Sequence, residues 1–326
     1  MFASLQNFLK IDTQEVEFSQ RGFTCTDPEI QHRLENVARM FLQGYHTALQ
    51  YRDQSVLAEC LSRIEPEHCG FAYEGAAMAL ALQDTIFLRY NSLRRFMKDM
   101  GKQHIFMLHV GAGWAYARLP WLRRRMEAVI KKFHPVLRWL VLDGYGFHEG
   151  YFHWKERTGP EIRAPRIFAA RLSEDARHVF FQGLGRSLWF IKGASVGNIS
   201  ATIARFHPIY HGDAWSGVGL ACAYAGGLAE GAIAQLREEA GVHKAALAQG
   251  AAFAAKARQL AGNLTKHTKI ACSILCDMST EQAAALCDET FNKIDLHSSC
   301  PYQDWRKLLQ EALLSSAKTL EQGDLH

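Results

Sequence analysis

The segment Phe71–Leu80 reads FAYEGAAMAL, a stretch in which glycine and alanine take the place of larger core residues. A second segment, Asp213–Cys222, reads DAWSGVGLAC and has a similar composition. Glycine in a helix costs about 1 kcal/mol relative to alanine, so its repeated use needs a compensating contact. The pattern predicts helices that approach either another helix or a ligand very closely.

These two segments belong to a longer series of matches between the halves of the chain. Residues 38–49, ARMFLQGYHTAL, lie over residues 177–188, RHVFFQGLGRSL, and GAGWA at 111–115 lies over GAAFA at 250–254. The order of the matches is preserved, as expected for an internal repeat of about 140 residues. We therefore predict a mainly α-helical, internally duplicated fold whose halves are related by a pseudo-twofold axis.

The repeat also sets the expected domain boundaries. The first helical repeat takes residues 20–154 and the second takes residues 167–305, and we expect them to pack as one globular unit. Between them, KERTGPEIRAPR at 155–166 is polar and contains one glycine and two prolines, which is typical of a linker. The alignment places Tyr73 opposite Trp215, and we expect both rings to face the interior.

Most of the chain has the apolar periodicity of helices. Asp27 followed by Pro28 is a helix start, with the carboxylate as the cap and proline in the first turn. The best strand-like stretches, HIFMLHV at 104–110 and LRWLVLDG at 137–144, are equally consistent with buried helices. The basic stretch at 123–132 has the spacing of an amphipathic helix with a solvated face.

Composition restricts the class of protein. The 326 residues are 48% hydrophobic with a net charge of +4, which is typical of a globular protein, and we expect no nucleic-acid partner. Eight cysteines are scattered without a CxxC pair, which favours reduced, buried thiols and a cytoplasmic location. The N-terminus lacks the pattern of a signal peptide, and the apolar stretch Ala214–Leu228 is shorter than the roughly 20 residues of a membrane span. The sequence does not decide between a monomer and a homodimer.

Proton-active residues concentrate in LVLDGYGFHEGYFHW at 140–154. The stretch is apolar and aromatic, so each buried imidazole needs a hydrogen-bond partner or a metal ion. His148 and His153 are five residues apart rather than four, which misaligns them around a helix and argues against the zinc-protease motif. A metal centre, a proton-transfer site and a hydrogen-bonded polar core all stay open.

Other histidines have similar surroundings, with His109 in MLHVGAGWA and both His207 and His211 in RFHPIYHGDAW. A duplicated fold brings segments of its two halves to a common seam, so we expect His207, His211 or Asp213 to be the partner of His148 or His153 there. Asp143 would orient an imidazole, and His148 or His153 would transfer the proton or bind the metal. The HGD segment reads as a turn. The candidate catalytic residues are Asp143, His148, His153, His211 and Asp213; the candidate cofactor-binding residues are His109, His207 and Arg186; the candidate metal ligands are His148, His153, His207 and His211.

Three further polar residues lie in apolar segments. Glu74 is expected at the start of a helix, where it would either favour the helix N-terminus or act as a buried acid in proton transfer. Gln182 and Arg186 are four residues apart in FFQGLGRSLWF and so could point to one cavity. Arg186 then needs an anionic partner, either Asp213 or a ligand carboxylate or phosphate. The GLG in this segment lacks the context of a nucleotide-binding loop.

Several of these segments together resemble a bacterial family of proteins of unknown function. The segments are EGAAMALAL, HVGAGWA, DGYGFHEGYFH, FFQGLGRSLWF and HGDAWSGVGLACAYAGG, and the resemblance covers residues 20–300. Some members, the UnbL-type proteins, are associated with enediyne polyketide gene clusters. The resemblance implies a soluble bacterial protein of specialised metabolism with an unsaturated or polyketide-like substrate, and it supplies no reaction.

Two functions stay open. The first is an enzyme acting on a hydrophobic, polyene- or polyketide-like small molecule, either by acid–base chemistry at the histidine and aspartate residues or as an oxidoreductase with iron or non-covalent haem. The second is a non-catalytic binding or carrier protein whose aromatic cavity shelters a hydrophobic intermediate. The number of titratable groups in apolar surroundings favours the enzyme.

Overall fold

The computed structural model describes residues 9–87, 91–119, 121–122, 126–154 and 172–323, with the side chains of residue 127 and of residues beyond 316 left undescribed. Within these ranges the chain is helical and contains no β-strand, so the prediction of a mainly α fold is confirmed. The α-helices are α1 (Phe18–Arg21), α2 (Pro28–Gln50), α3 (Gln54–Ser62), α4 (Pro66–Phe87), α5 (Ser92–Lys98), α6 (Ile105–Ala117), α7 (Met126–Ile130), α8 (Leu140–His153), α9 (Glu174–Ile191), α10 (Val196–Ile203), α11 (His211–Ala225), α12 (Glu230–Glu239), α13 (Lys244–Ala261), α14 (Lys266–Cys276), α15 (Thr280–Phe291) and α16 (Pro301–Gly323).

A series of core helices, in which each packs against the next, forms the centre of the molecule. The core helices are α2, α4, α6, α8, α9, α11 and α13. Contacting residues advance in the same direction along neighbouring core helices: Asn36 of α2 contacts His68 of α4, and further along Ala48 contacts Gln83. The same progression holds between later members of the series. The core helices are therefore parallel, and shorter helices return the chain between several of them.

Paired glycines set the spacing of the core helices. They are the GAG of α6 at 111–113, the GYG of α8 at 144–146, the GLG of α9 at 183–185 and the GVG of α11 at 217–219. Residues two apart on a helix point to nearly opposite sides, about 200° around the axis. A Cβ atom on Gly183 would lie 1.8 Å from the backbone oxygen of Asp143 in the preceding core helix, and one on Gly185 would lie 2.3 Å from that of Ala214 in the following one. Close helix–helix contact is therefore the reason for these glycines.

The series of core helices curls back on itself. Arg33 of α2 donates a hydrogen bond from Nε to the backbone oxygen of Ala225 at the end of α11, over 2.7 Å. Arg258 of α13 donates from Nη2 to the backbone oxygen of Glu67 in the first turn of α4, over 3.3 Å. These contacts join the late helices to the early ones, so the core helices enclose an interior.

The two halves of the chain have the same order of long helices. α2, α4 and α6 in the first half correspond to α9, α11 and α13 in the second, as the sequence matches require. Tyr73 and Trp215, placed opposite each other by the alignment, are both buried. The duplication and its axis stay predictions, and the linker at 155–166 lies outside the described residues.

The helix boundaries confirm one sequence expectation and correct two others. Asp27 caps α2 by accepting hydrogen bonds from the backbone N–H groups of Glu29 and Ile30. α4 begins at Pro66, so Glu74 lies two turns inside the helix and does not cap it. The HGD segment is helical because α11 begins at His211, directly after a 3₁₀ turn over Pro208–Tyr210.

The cysteines, the basic stretch and the apolar helices can be compared with what the composition predicts. All eight cysteines are free, and five of them are buried. Of the basic stretch at 123–132, the described part contains the short helix α7. Among the described helices, none combines the length and the apolar character that a membrane crossing requires.

Candidate functional site

Five side chains from four core helices meet in the interior and form what we call the central cluster: Glu74 of α4, Trp114 of α6, Asp143 of α8, and Gln182 and Arg186 of α9. All five are buried. Trp114 donates a hydrogen bond from Nε1 to Glu74 Oε1 over 2.9 Å, and Gln182 donates from Nε2 to Asp143 Oδ2 over 2.8 Å. Sequence positions that are far apart are thereby linked by short polar contacts.

Arg186 lies between the two carboxyl groups. Its Nη2 atom is 2.7 Å from Asp143 Oδ1, an ion pair whose geometry does not meet the angular criteria of a hydrogen bond. Its Nη1 atom is 3.8 Å from Glu74 Oε1. Its guanidinium also lies over the ring of Phe147, 4.4 Å from the centroid. With Glu74 protonated, the Arg186 and Asp143 charges balance, and burial then carries no net charge.

Two apolar cavities adjoin the central cluster, and Arg186, Leu220 and Tyr224 line both. The first cavity also contacts Glu74 and has about 50 Å³ of space open to the centre of a water molecule. The second contacts Asp143 and has about 40 Å³ of such space. Aromatic rings dominate the walls, including Phe71, Trp114, Phe147, Tyr151 and Phe190 around the first cavity and Phe106, Phe253, Tyr302 and Trp305 around the second.

Two buried donors at these cavities have spare capacity. Arg186 Nε and the Tyr224 hydroxyl have no hydrogen-bond partner among the described residues. Because an unpaired buried donor costs about 1–3 kcal/mol, its place beside a cavity marks where a ligand oxygen or a water molecule would bind. Sequence reasoning missed Tyr224, whose only signal was an aromatic ring in the glycine-rich helix α11.

The ionisation of Glu74 is strongly perturbed. The pKa of this carboxyl is raised from 4.5 to about 7: burial is the largest cause, Arg186 and the Trp114 hydrogen bond lower the pKa, and the nearby Asp143 raises it by a smaller amount. Glu74 is therefore close to half-protonated at neutral pH. A carboxyl group in this state can both give and accept a proton.

Replacing Glu74 with glutamine should remove a pH dependence of stability. The folded-state pKa of about 7 lies above the ordinary 4.5, so the folded protein keeps a proton that the unfolded chain loses. The free energy of unfolding of the wild type, relative to Glu74→Gln, should fall by about 3 kcal/mol as pH rises from 4.5 through 7 and stay level above that. Urea unfolding of both proteins between pH 4.5 and 8.5 measures this difference, and parallel curves would contradict the raised pKa.

A second group of polar side chains lies at the C-terminal end of α8. One ligand atom each from His148, Glu149 and His153 lies within 4.8 Å of the others, and we call this group the α8 triad. The His148 ring packs against Trp114 in a T-shaped arrangement, with the centroids 5.8 Å apart and the rings perpendicular. Glu149 lies between the two histidines in the sequence and one helical turn before His153, and it was not among the candidate metal ligands.

The sequence profile of the family described as "Protein of unknown function (DUF1702)" matches residues 2–313. The chain belongs to the DUF1702 family. No curated protein and no solved structure matches it. The resemblance to a family of unknown function is thus confirmed, and the central cluster and the α8 triad of this DUF1702 protein lie inside the matched range.

Among the described residues, the structure groups His148 and His153 with Glu149, and His207 and His211 lie elsewhere. His207 is exposed at the start of the 3₁₀ turn before α11. His211 lies 2.9 Å through Nε2 from the backbone oxygen of Phe206 and faces the ring of His243. These side chains lie at the N-terminal end of α11, whereas His148 and His153 lie at the C-terminal end of α8, and neighbouring core helices are parallel.

Asp213 also has partners other than those expected. Its Oδ2 atom is 2.5 Å from His178 Nδ1, and its Oδ1 atom accepts a hydrogen bond from Arg306 Nη1 over 2.7 Å. The His178 pKa is raised mainly by this contact with Asp213. Arg186 therefore takes Asp143 as its close anionic partner and not Asp213, because Asp213 is held by a side chain from α16.

His109, expected to bind a cofactor, has a structural hydrogen bond instead. Its Nδ1 atom lies 2.7 Å from the backbone oxygen of Ile105 in the same helix, and its ring packs against Phe133. Burial lowers its pKa to about 4, so it is neutral near pH 7. It does not line either of the two cavities at the central cluster.

Proposed function

We propose that this DUF1702 protein is an enzyme that transfers a proton to or from an apolar small molecule, with Glu74 as the proton-transferring group. One observation carries the proposal: a carboxyl group with a pKa of about 7 lies in the wall of an aromatic cavity. A general acid or base works best with a pKa near the working pH. Strongly shifted carboxyl groups in cavities are enriched at functional sites.

The surroundings of Glu74 support a division of roles. Trp114 fixes one carboxyl oxygen by a hydrogen bond, and Arg186 stabilises the ionised form after the proton has left. Asp143 lies close to Arg186 and in turn accepts a hydrogen bond from Gln182. In a buried site such fixed charges act more strongly than they would in water.

The chemistry of the cavities supports a hydrophobic substrate that carries an oxygen atom. Their walls are almost entirely apolar, and the spare donors of Arg186 and Tyr224 suit a carbonyl or carboxylate oxygen. The resemblance to UnbL-type proteins would make this a polyene- or polyketide-like molecule of specialised metabolism. Such a molecule exceeds the described cavities, so its binding requires side chains of the walls to move.

The test compares Glu74→Gln with the wild type in the organism that encodes the protein. Glutamine keeps the shape and the acceptor for Trp114 but cannot transfer a proton. A metabolite that depends on the wild-type gene should fall at least about 100-fold in the Glu74→Gln strain, the usual size of a general acid–base effect. Glu59→Gln, at an exposed surface position, is the matched control and should leave the metabolite unchanged.

A binding or carrier function predicts a different result, because it needs the shape of the cavity and not a proton. In that case Glu74→Gln would leave the metabolite at the wild-type level. A substitution that fills the first cavity, Ala221→Phe, would still remove it. Equal metabolite levels in Glu74→Gln and wild type, with both proteins folded to the same extent, would overturn the proposed enzyme.

A further inference from the structure

We propose that the α8 triad of His148, Glu149 and His153 binds one divalent first-row transition-metal ion. One ligand atom of each residue lies within 4.8 Å of the other two. Metal–ligand bonds of about 2.0–2.2 Å place two ligands of a common ion at most about 4.4 Å apart. A small change of rotamer therefore brings the three side chains onto one ion.

The position of the triad in the helix explains why these residues converge. Glu149 and His153 are four residues apart, which places them on one face, one turn from each other. His148 directly precedes Glu149, and its Nδ1 atom lies 4.0 Å from Glu149 Oε1. The two histidines are five residues apart and so cannot be a pair of helical i, i+4 ligands. The Glu149 carboxylate lies between them in the sequence and completes the group of three.

The donor set identifies the class of ion. Two imidazoles and one carboxylate form the ligand set of non-haem Fe(II) sites, and the same set binds Zn(II) in other enzymes. His153 is the last residue of α8, where the negative end of the helix dipole favours a cation. A haem iron is usually held by an axial histidine, cysteine, methionine or tyrosine, so a set that includes a carboxylate suits a single ion better than haem.

The triad adjoins the first cavity through aromatic rings. Phe152, which lines that cavity, packs against His148 with the ring centroids 4.7 Å apart. Trp114 lies between the two groups, because its Nε1 atom donates to Glu74 while its ring faces His148. A metal ion at the triad would therefore lie beside the proposed substrate cavity. Metal binding itself does not depend on the proposed function of Glu74.

The experiment titrates the full chain, after treatment with a chelator, with cobalt(II) chloride under anaerobic conditions. Cobalt(II) reports its coordination by visible absorption, and calorimetry gives the stoichiometry and Kd. We expect one equivalent to bind the wild type, and the affinity to fall at least about 10-fold in His148→Ala, Glu149→Gln and His153→Ala. His207→Ala, at an exposed histidine far from the triad in the fold, is the matched control and should bind as the wild type does.

His153 is only partly buried, so His153→Ala keeps the test valid even where the buried His148→Ala fails to fold. Circular dichroism checks that each variant is folded. Absence of stoichiometric cobalt binding by the wild type, or unchanged binding by folded His153→Ala and Glu149→Gln, would overturn the metal site. Glu74→Gln should bind cobalt normally, so a failure of the metal site and a failure of the proposed proton transfer give different results.

Discussion

Replacing Gly183 with alanine should lower the free energy of unfolding by more than about 3 kcal/mol, which is above the usual range for overpacking. The added Cβ would lie 1.8 Å from the backbone oxygen of Asp143, and a backbone atom cannot rotate away as a side chain can. α8 and α9 must therefore separate, which loosens the contact between Gln182 and Asp143 in the central cluster. Urea unfolding measures the loss.

Gly197→Ala is the matched control for this substitution. Gly197 lies in the helix α10, and a Cβ atom there would meet nothing within 4 Å. The change should stabilise the protein by up to about 1 kcal/mol, because alanine is the better helix former. If Gly183→Ala proved as stable as Gly197→Ala, the close approach of the core helices would be wrong.

Replacing Arg186 with methionine should cost about 3–5 kcal/mol at pH 7, because it leaves Asp143 as a buried charge without its counter-ion. Glu74 adds less to the cost because it is already partly protonated at pH 7. Thermal unfolding at pH 7 measures the cost.

Two comparisons make this second prediction specific. Arg63→Met removes the cation of an exposed ion pair with Glu59 and should cost less than about 1 kcal/mol. The double variant Arg186→Met with Asp143→Asn should recover part of the stability lost in Arg186→Met, because asparagine carries no charge to leave unpaired. An Arg186→Met protein that is no less stable than Arg63→Met would show that the central cluster is not a buried ion network.

Local sequence patterns predicted the helical class and the cap at Asp27, because each depends on neighbouring residues only. The glycines predicted a close approach but left open whether another helix or a ligand makes it, and the structure shows that it is a helix. The recurrence of the GxG pattern in four helices says more about helix packing than the single GLG of α9 does. Its two glycines face opposite sides of one helix, so the pattern indicates a helix between two close neighbours. What the sequence could not give is the length of α4, whose start at Pro66 converts Glu74 from a terminal residue into an interior one.

The candidate site was only partly predictable because it assembles from helices far apart in the chain. Asp143 and Arg186 were named from their apolar surroundings, and both lie in the central cluster. Which carboxylate would pair with Arg186 depended on how the core helices align, and no local pattern contains that information. The same parallel alignment separates His211 from His148, which the expected common seam would have joined.

The most direct test of the proton-transfer account is the titration of the Glu74 carboxyl group itself. Infrared difference spectra of the wild type minus Glu74→Gln isolate the C=O stretch of the protonated carboxyl as a function of pH. The account predicts half-protonation near pH 7, with the band still present at pH 6. A band that is lost with a midpoint near the ordinary value of 4.5 would contradict it, because the pKa of Glu74 would then lie far below the neutral pH at which the account places it.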